Sequence, residues 1–207
     1  MRYILIVFIG LITTNSWAQK DPLAKTLLDQ LGQKVKVSKG ILVNIQLITK
    51  NNKGKSMGAK SIRLQMKGEK YLLNEGKMEI LCDGSSIYNF DGINSISKSA
   101  IGESDQTLSP QKLLSGSYDK DFNFSLLSQS AGKAIIELFP IDKRKNFQKV
   151  TLTIDKAKSA LSNATILDKS NNITDVKVVS ISYSAQLADN LFIFNRAKYP
   201  KNVEIFD

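Results

Sequence analysis

Apolar and polar positions follow a helical period at the start of this chain. After Asp21-Pro22, apolar residues recur every four positions, which places them on one side of an α-helix. Aspartate is a residue type that caps helices, and proline suits the first helical turn. The pattern predicts an amphipathic helix that begins at Asp21-Pro22 and ends before Gly40. Its apolar positions are Leu23, Leu27, Leu31 and Val35, with Leu28 beside them.

From residue 41 the period changes to two, which is typical of β-strands with one buried face. Asp83-Gly84 and Asp91-Gly92 are strong turn signals, and the turns are too short for crossover helices. We therefore predict an antiparallel meander. Its strands include positions 41–47, 62–66, 71–73, 78–82 and 87–90, and further strands are predicted over 122–126, 134–139, 147–155, 161–167, 176–183 and 191–194.

The stretch from about Ser99 to Ser117 is different, because it is richer in Ser, Gly and Asp. Ser109-Pro110 can start a short helix there that runs through Leu113-Leu114 and ends near Gly116. The predicted fold class is therefore mostly β with a few helices, in one domain over residues 19–207. A curved sheet with its concave face closed by the helices would bury every apolar stripe. Loose packing inside it would leave a pocket for an apolar guest, and alternation alone does not separate a pocket from a packed core.

The first 18 residues are predicted to be a signal peptide. Met1-Arg2 is followed by an apolar run over 3–13, and Ser16-Trp17-Ala18 places small residues at a cleavage site after Ala18. The alternative is an uncleaved membrane anchor, but the apolar run is shorter than the roughly 20 residues of a membrane span. No lipid-modified cysteine follows, since the only cysteine is Cys82. We expect an exported, soluble mature protein.

The charge of the chain suggests a solvated surface more than a nucleic-acid interface. The formal net charge is +10, but the lysines are spread along the sequence and are not interleaved with aromatic residues. A nucleic-acid binder usually concentrates basic residues and aromatics in one patch, so no nucleic-acid partner is expected. Attraction to an anionic membrane surface or an acidic partner remains a second use of this charge.

The residues of common catalytic sites are scarce. The chain has no histidine and one cysteine, which excludes His-based triads, the usual His metal sites and Cys clusters. Cys82 alternates with Met78 and Ile80, so a buried hydrophobe is favoured over a reactive thiol. A glycosidase-like carboxylate pair, Glu103 and Asp105, lies in a polar loop and is better explained as solvated surface. We therefore predict no enzyme activity, no cofactor and no metal.

Gly54-Lys55-Ser56 is similar to the end of a phosphate-binding loop. However, Thr49 stands where the first glycine of that motif belongs, and the stretch joins two strands instead of opening a helix. This motif therefore adds no function.

Several stretches, in order along the mature chain, resemble the periplasmic outer-membrane lipoprotein carrier (LolA) family. They are the Asp-Pro-led helix, Gly68 to Leu73, Glu79 to Tyr88, Ser109-Pro110 before Leu113-Leu114, Leu138-Phe139-Pro140, and Leu191 to Phe194 followed by Tyr199-Pro200 and Val203. The resemblance implies a half-open β-barrel closed by a helical lid in a periplasmic protein, which we expect to be a monomer. It also implies a cavity for the acyl chains of lipoproteins, which an inner-membrane ABC-type complex releases and an outer-membrane receptor, or the outer membrane itself, receives.

The chemistry of the cargo agrees with such a carrier, because each methylene exposed to water costs about 0.8 kcal/mol. The alternative is a lipid-binding, sensor or interaction module on the same half-barrel. The predicted lining of cavity and lid is Leu27, Leu31, Val43, Ile45, Ile62, Leu64, Met66, Tyr71, Met78, Ile80, Tyr88 and Phe124.

In the family a basic residue before the third strand latches the lid. Here Gly68 stands at that place with Lys67 adjacent, so either Lys67 substitutes or the latch differs.

Overall fold

The computed structural model describes residues 20–102, 108–114 and 118–207. The predicted signal peptide, Glu103, Asp105 and the predicted helix end near Gly116 lie outside these ranges. Within them, no helix has the length and apolar character needed to cross a membrane.

Helix α1 spans Pro22–Val37. Asp21 precedes it, and its Oδ1 accepts hydrogen bonds from the N–H of Leu23 at 2.8 Å and of Ala24 at 3.2 Å, as a helix cap does. Its buried residues are Ala24, Leu28 and Leu31. The buried stripe is therefore centred on Leu28. Leu27 is only partly buried, and Leu23, which the four-residue spacing placed on the apolar face, is 60% exposed.

Twelve strands form one sheet in the order β12-β6-β5-β4-β3-β2-β1-β11-β10-β9-β8-β7. The strands are β1 Ile41–Lys50, β2 Ser56–Lys67, β3 Lys70–Glu75, β4 Met78–Cys82, β5 Ser86–Phe90, β6 Ser95–Ala100, β7 Phe122–Gln129, β8 Lys133–Pro140, β9 Phe147–Asp155, β10 Ala160–Asp168, β11 Ile173–Ser182 and β12 Glu204–Phe206. A second helix, α2, spans Pro110–Leu114. The predicted fold class, a curved antiparallel sheet with a half-barrel shape and a helical lid, is confirmed.

The sheet consists of two antiparallel meanders, β1 to β6 and β7 to β11. They are joined by the pairing of β1 with β11, where Leu42 lies opposite Ser182. The short strand β12 pairs in parallel with β6. Sequence reasoning missed β6, whose Ser-Ile-Ser-Lys-Ser pattern carries only one large apolar residue.

The strand predicted over 191–194 is wrong. The chain instead forms two 3₁₀ helices, Asp189–Phe192 and Arg196–Lys198. Phe192 is fully buried and Leu191 and Phe194 pack beside it, whereas Ile193 is 57% exposed. We call residues 187–207 the C-terminal strap.

The two faces of the sheet carry separate apolar clusters. The inner face packs against α1 and α2 and carries residues such as Val43, Leu64 and Leu152. The outer face carries a smaller cluster of Leu72, Leu81 and Phe192, against which Tyr88 and Phe194 pack. The C-terminal strap therefore covers part of the outer face, while the helices cover the inner face.

Gly40 lies beside the segment in which the chain passes from β11 to the strap. Its carbonyl accepts a hydrogen bond from the N–H of Ala185 at 3.0 Å. A Cβ at this position would lie 2.3 Å from the Ala185 carbonyl oxygen. Only glycine fits this close approach without displacing backbone.

Candidate functional site

Beneath α1 the inner face of the sheet is a closed core. Leu28 and Leu31 of the helix are at most 2% exposed, as are Val43 and Leu64 on the strands below them. All four belong to one cluster of buried side chains. The space between α1 and the sheet is therefore filled by packed side chains.

The other half of the interior holds a cavity of about 730 Å³. It lies between the inner face of β3 to β6 on one side and the starts of β7 and β9 on the other, next to α2. Its volume is within the usual range of small-molecule pockets. The lining residues are Tyr71, Ile80, Cys82, Ile87, Asn89, Ser97, Ser99, Ile101, Gly102, Leu108, Ser109, Lys112, Asp121, Phe122, Lys145 and Phe147.

The twelve residues predicted to line a cavity are divided by the structure. Two of them, Tyr71 and Ile80, border the cavity. Met78 is 39% exposed at the start of β4. The partly buried Leu27 packs against the main core. The others, Tyr88 excepted, are buried in the main core, namely Leu31, Val43, Ile45, Ile62, Leu64, Met66 and Phe124.

Tyr88 faces the opposite way from the predicted orientation. In β5 it lies opposite Leu81, an outer-face residue, whereas its neighbour Ile87 lies opposite Cys82 on the inner face. The Tyr88 ring stacks on Phe194 with ring centroids 4.2 Å apart. Both faces of β5 carry apolar residues, because the strap covers the outer one, and alternation therefore did not distinguish them.

The cavity wall changes from apolar to polar across the strands. In one cross-strand row Tyr71, Cys82, Ile87 and Ser99 lie side by side on β3 to β6. The neighbouring row contains Ile80 on β4, then Asn89 on β5 and Ser97 on β6. Strands β3 and β4 therefore give the wall hydrocarbon and β6 gives it hydroxyl groups.

Among the residues that the structure describes, three charged side chains border the cavity. Lys112 of α2 forms an ion pair with Asp121, which precedes β7. Lys145, in the loop between β8 and β9, is only 7% exposed. Its backbone N–H donates to the Asp142 carbonyl at 3.3 Å. The β6 and α2 side of the cavity thus combines hydroxyl groups with two ammonium groups and one carboxylate.

Aromatic rings form the wall at the start of β7 and β9. Phe122 and Phe147 lie with ring centroids 6.0 Å apart, and Tyr118 meets Phe122 edge-on at 5.8 Å. Tyr118 is 1% exposed and donates its hydroxyl hydrogen to the Leu113 carbonyl, which fixes α2 against this wall. Burial raises the pKa of Tyr118 far above its usual value, so its hydroxyl stays neutral.

Cys82 is the single thiol of the chain and faces the cavity. It is 1% exposed, and its Sγ lies 3.6 Å from the Glu69 carbonyl oxygen. Burial raises the pKa of the Cys82 thiol, and the same effect raises the pKa of Tyr71 to about 12. A buried neutral thiol is a poor nucleophile, so the structure places Cys82 as an apolar wall residue.

Polar contacts hold α1 at both ends. Near its start Lys25 donates to Asp119 at 2.8 Å and to Asp29 at 3.0 Å. Near its end the Lys34 ammonium lies 4.5 Å from the centre of the Tyr183 ring. Exposed contacts of this type stabilise weakly, so most of the stabilisation of α1 comes from its buried residues Ala24, Leu28 and Leu31.

Lys67, the candidate lid latch, holds a different segment. Its ammonium lies 2.6 Å from Asp189 Oδ1 and 3.5 Å from the Leu187 carbonyl oxygen. Both partners belong to the C-terminal strap. Lys67 therefore connects the strap to the sheet, whereas α1 is held by its buried apolar face together with Lys25 and Lys34.

The described residues contain no group of three His, Cys, Asp or Glu side chains that could hold a metal ion.

Sequence reasoning missed most of the residues that line the cavity. Phe122, Lys145 and Phe147 come from the second meander, and only the folded sheet brings them opposite β3 to β6. The alternating serines of β6 were the one local signal available for a polar wall.

Comparison with known proteins supports the resemblance seen in the sequence. A family model described as outer membrane lipoprotein carrier protein LolA matches residues 74–195. No curated protein sequence matches the chain significantly.

Among solved structures, an uncharacterized conserved protein from Thermus thermophilus is similar with a TM-score of 0.59 and 13% identity, over 88% of this chain and 98% of that one. A LolA superfamily protein from Nitrosomonas europaea has a TM-score of 0.50 and 13% identity, over 83% and 97%. A DUF1329 family protein from Desulfovibrio piger has a TM-score of 0.50 and 12% identity, over 86% and 99%. At these identities the similarity concerns the fold.

Proposed function

This chain belongs to the LolA family, whose model covers more than half of it, and on that premise we propose that it binds acyl chains in the cavity between β3 to β6 and the starts of β7 and β9. The observation that carries the proposal is the cavity of about 730 Å³ with hydrocarbon from Tyr71, Ile80, Cys82, Ile87 and the Phe122–Phe147 pair. An apolar wall of this kind compensates a lipid chain for leaving a membrane, at about 0.8 kcal/mol per methylene.

The finer proposal is a carrier that works by binding alone, without a catalytic step. It takes lipoproteins from an inner-membrane ABC-type releasing complex, shields their acyl chains in the periplasm and delivers them to a receptor in the outer membrane or to that membrane itself. The family description supports this role. A signal peptide over residues 1–18 would bring the chain to that compartment.

Movement of α1 would enlarge the binding site for a cargo with several chains. Its contacts through Lys25 and Lys34 are weak and polar. Release of the helix would expose the core beneath it, so that Leu31, Val43 and Leu64 would join the walls of the cavity. The same holds for the other predicted lining residues of that core, Leu27, Ile45, Ile62, Met66 and Phe124.

A second candidate function is a lipid-binding or sensor module on the same half-barrel. The polar side chains of the cavity wall favour it, because Asn89, Ser97 and Ser99 could form hydrogen bonds with the polar head group of a lipid. Such a module would bind a free lipid without delivering a lipoprotein.

Native mass spectrometry of the protein purified from a cell envelope fraction tests both candidates. One acylated lipoprotein per chain supports the carrier, and free lipid alone supports the lipid-binding module. A chain without any bound lipid, which also fails to bind an added acylated peptide, contradicts the proposal.

Two variants locate the bound chain. Ile80→Asn places an amide in the cavity wall and should lower the amount of bound lipid. Val179→Asn is the matched control, since Val179 is 62% exposed outside the cavity. Equal lipid content in both variants would place the guest elsewhere.

A further inference from the structure

We propose that the edge strand β12 carries a second apolar subsite, formed by Phe206 outside the cavity, for guests whose two hydrocarbon chains are joined by a polar linkage. One chain fills the cavity, and the second lies across β6 against the Phe206 ring. This inference rests on the proposed function, because it requires a cavity that admits the first chain.

The first argument is the register of β12 on β6. The parallel pairing places Phe206 beside Ser97 and Ile205 beside Ile96. Ser97 lines the cavity on the inner face, and Ile96, which precedes it in the strand, is fully buried on the outer face. Paired residues of neighbouring strands direct their side chains to the same face, and successive residues alternate between faces. Phe206 therefore extends the inner face beyond the cavity, and Ile205 extends the outer face.

The second argument is the order of side chains across the inner face. From β4 outward, one cross-strand row contains Ile80, Asn89, Ser97 and Phe206. Neighbouring strands lie about 4.8 Å apart, so this row extends for about 14 Å. The row is apolar at both ends and polar between them, and Asn89 and Ser97 are exposed to solvent. A guest with a polar linkage between two hydrocarbon chains matches this order, because the linkage stays hydrated while both chains contact apolar side chains.

The third argument is that Phe206 is exposed on a strand that is held in place. The residue is 51% exposed. The Glu204 N–H donates to the Asn94 carbonyl at 2.9 Å, and Arg196 Nη2 donates to the Val203 carbonyl at 3.0 Å. A half-exposed aromatic ring on a fixed strand offers apolar area to a guest without the entropic cost of ordering a mobile segment.

The fourth argument is the space available to a guest. A cavity of about 730 Å³ lies in the range of pockets that hold one ligand of drug-like size. The core under α1 is closed, with Leu28 and Leu31 at most 2% exposed. While α1 stays in place, a second chain must leave the cavity through its open side. The exposed residues Asn89 and Ser97 place that side at β5 and β6, and Phe206 lies one strand further.

Two variants of neighbouring residues test this inference. Phe206→Ser removes the ring from the inner face, and Ile205→Ser, the matched control, removes a side chain of similar exposure, 45%, from the outer face. Displacement of a fluorescent probe by a diacylated peptide is compared with displacement by the same peptide carrying one acyl chain. A ring that is already half buried gains only part of its transfer free energy, so Phe206→Ser should weaken binding of the diacylated peptide about 3- to 10-fold. It should leave the affinity for the monoacylated peptide unchanged, and Ile205→Ser should leave both affinities unchanged.

Hydrogen exchange in the unaltered protein gives a second readout, which does not depend on how well the variants fold. Binding of the diacylated peptide should slow the exchange of residues 204–206, because a chain on Phe206 stabilises the pairing of β12. Binding of the monoacylated peptide should leave the exchange of these residues unchanged.

The outcomes separate this inference from the proposed function. A loss of affinity that is confined to Phe206→Ser and to the diacylated peptide supports the subsite. Equal effects of the two variants, or equal effects on the two peptides, overturn the subsite and leave the acyl-chain function standing. If neither peptide displaces the probe from the unaltered protein, both proposals are wrong.

Discussion

Replacement of Gly40 by alanine should loosen the attachment of the C-terminal strap. The added Cβ would lie 2.3 Å from the Ala185 carbonyl oxygen and 3.3 Å from Leu187 Cγ. The first distance is far below van der Waals contact and involves backbone, so the chain at Ala185 must move. That movement also strains the hydrogen bond from the Ala185 N–H to the Gly40 carbonyl.

The size of the effect follows from three terms. Forcing extra volume into a packed site costs about 1–3 kcal/mol, and a lost hydrogen bond adds about 1 kcal/mol. Alanine restricts the unfolded chain, which returns about 0.4–1 kcal/mol. We expect Gly40→Ala to lower the free energy of unfolding by about 1–3 kcal/mol. For a chain of this length the melting temperature should fall by roughly 3–10 °C.

Thermal unfolding followed by circular dichroism measures the change, and hydrogen exchange of residues 183–194 shows where it occurs. Gly132→Ala is the matched control, since a Cβ at Gly132 meets no atom within 4 Å and Gly132 does not require a left-handed backbone. That variant should keep or slightly raise the melting temperature. If Gly40→Ala melts at the same temperature as Gly132→Ala, the close approach at Ala185 is refuted.

Three further predictions concern the helix, the strap and the thiol. Lys25 lowers the pKa of Asp119 below 3.8, so their contact stabilises α1 above that pH and is lost as the pH falls below it. Hydrogen exchange of α1 should therefore rise in acid, whereas Asp119→Asn should show raised exchange already at neutral pH. Phe194→Ala removes the ring stacked on Tyr88 and should lower the unfolding free energy in urea by about 2 kcal/mol; an unchanged value would mean that the stack does not hold the strap. Cys82 should react with a thiol reagent much more slowly in the folded protein than in urea. An added acylated peptide should slow the reaction further, whereas an unaltered reaction rate would place the guest away from Cys82.

The sequence predicted the positions of the helices and strands better than it predicted which side chains line the cavity. Four-residue spacing after Asp21 and two-residue alternation after Gly40 correctly indicated a helix followed by a meander, because both patterns arise from burial of one face. The same logic failed at 191–194, where Leu191 and Phe192 end a 3₁₀ helix and, with Phe194, pack on the outer face of the sheet. Predicting a strand from alternation assumes that one of its faces is exposed to water. The strap covers the outer face of β5, so both faces of β5 and the strap residues on it are apolar.

The cavity was less predictable than the core. Alternation identified Val43 and Leu64 as inward-facing, but it treated all inward positions alike. Whether such a position meets α1 or an open space depends on where the helix lies over the sheet. Lys145 and Phe147 are distant in sequence from Tyr71 and Ile80, so their meeting at one wall is a property of the closed sheet.

The pairing of β1 with β11 has a consequence for how the chain folds. Leu42 and Ser182 come from opposite ends of the sequence, and their contact joins the two meanders. Single hairpins of each meander can form within microseconds, but closing the long loop between β1 and β11 carries an entropic penalty and makes folding slow. The last step of folding is therefore expected to be the joining of two preformed halves, and refolding should show fast formation of strands followed by a slower phase. Until that phase is complete, the edges of β1 and β11 are unpaired, and the newly made chain is most exposed to aggregation at its own central seam.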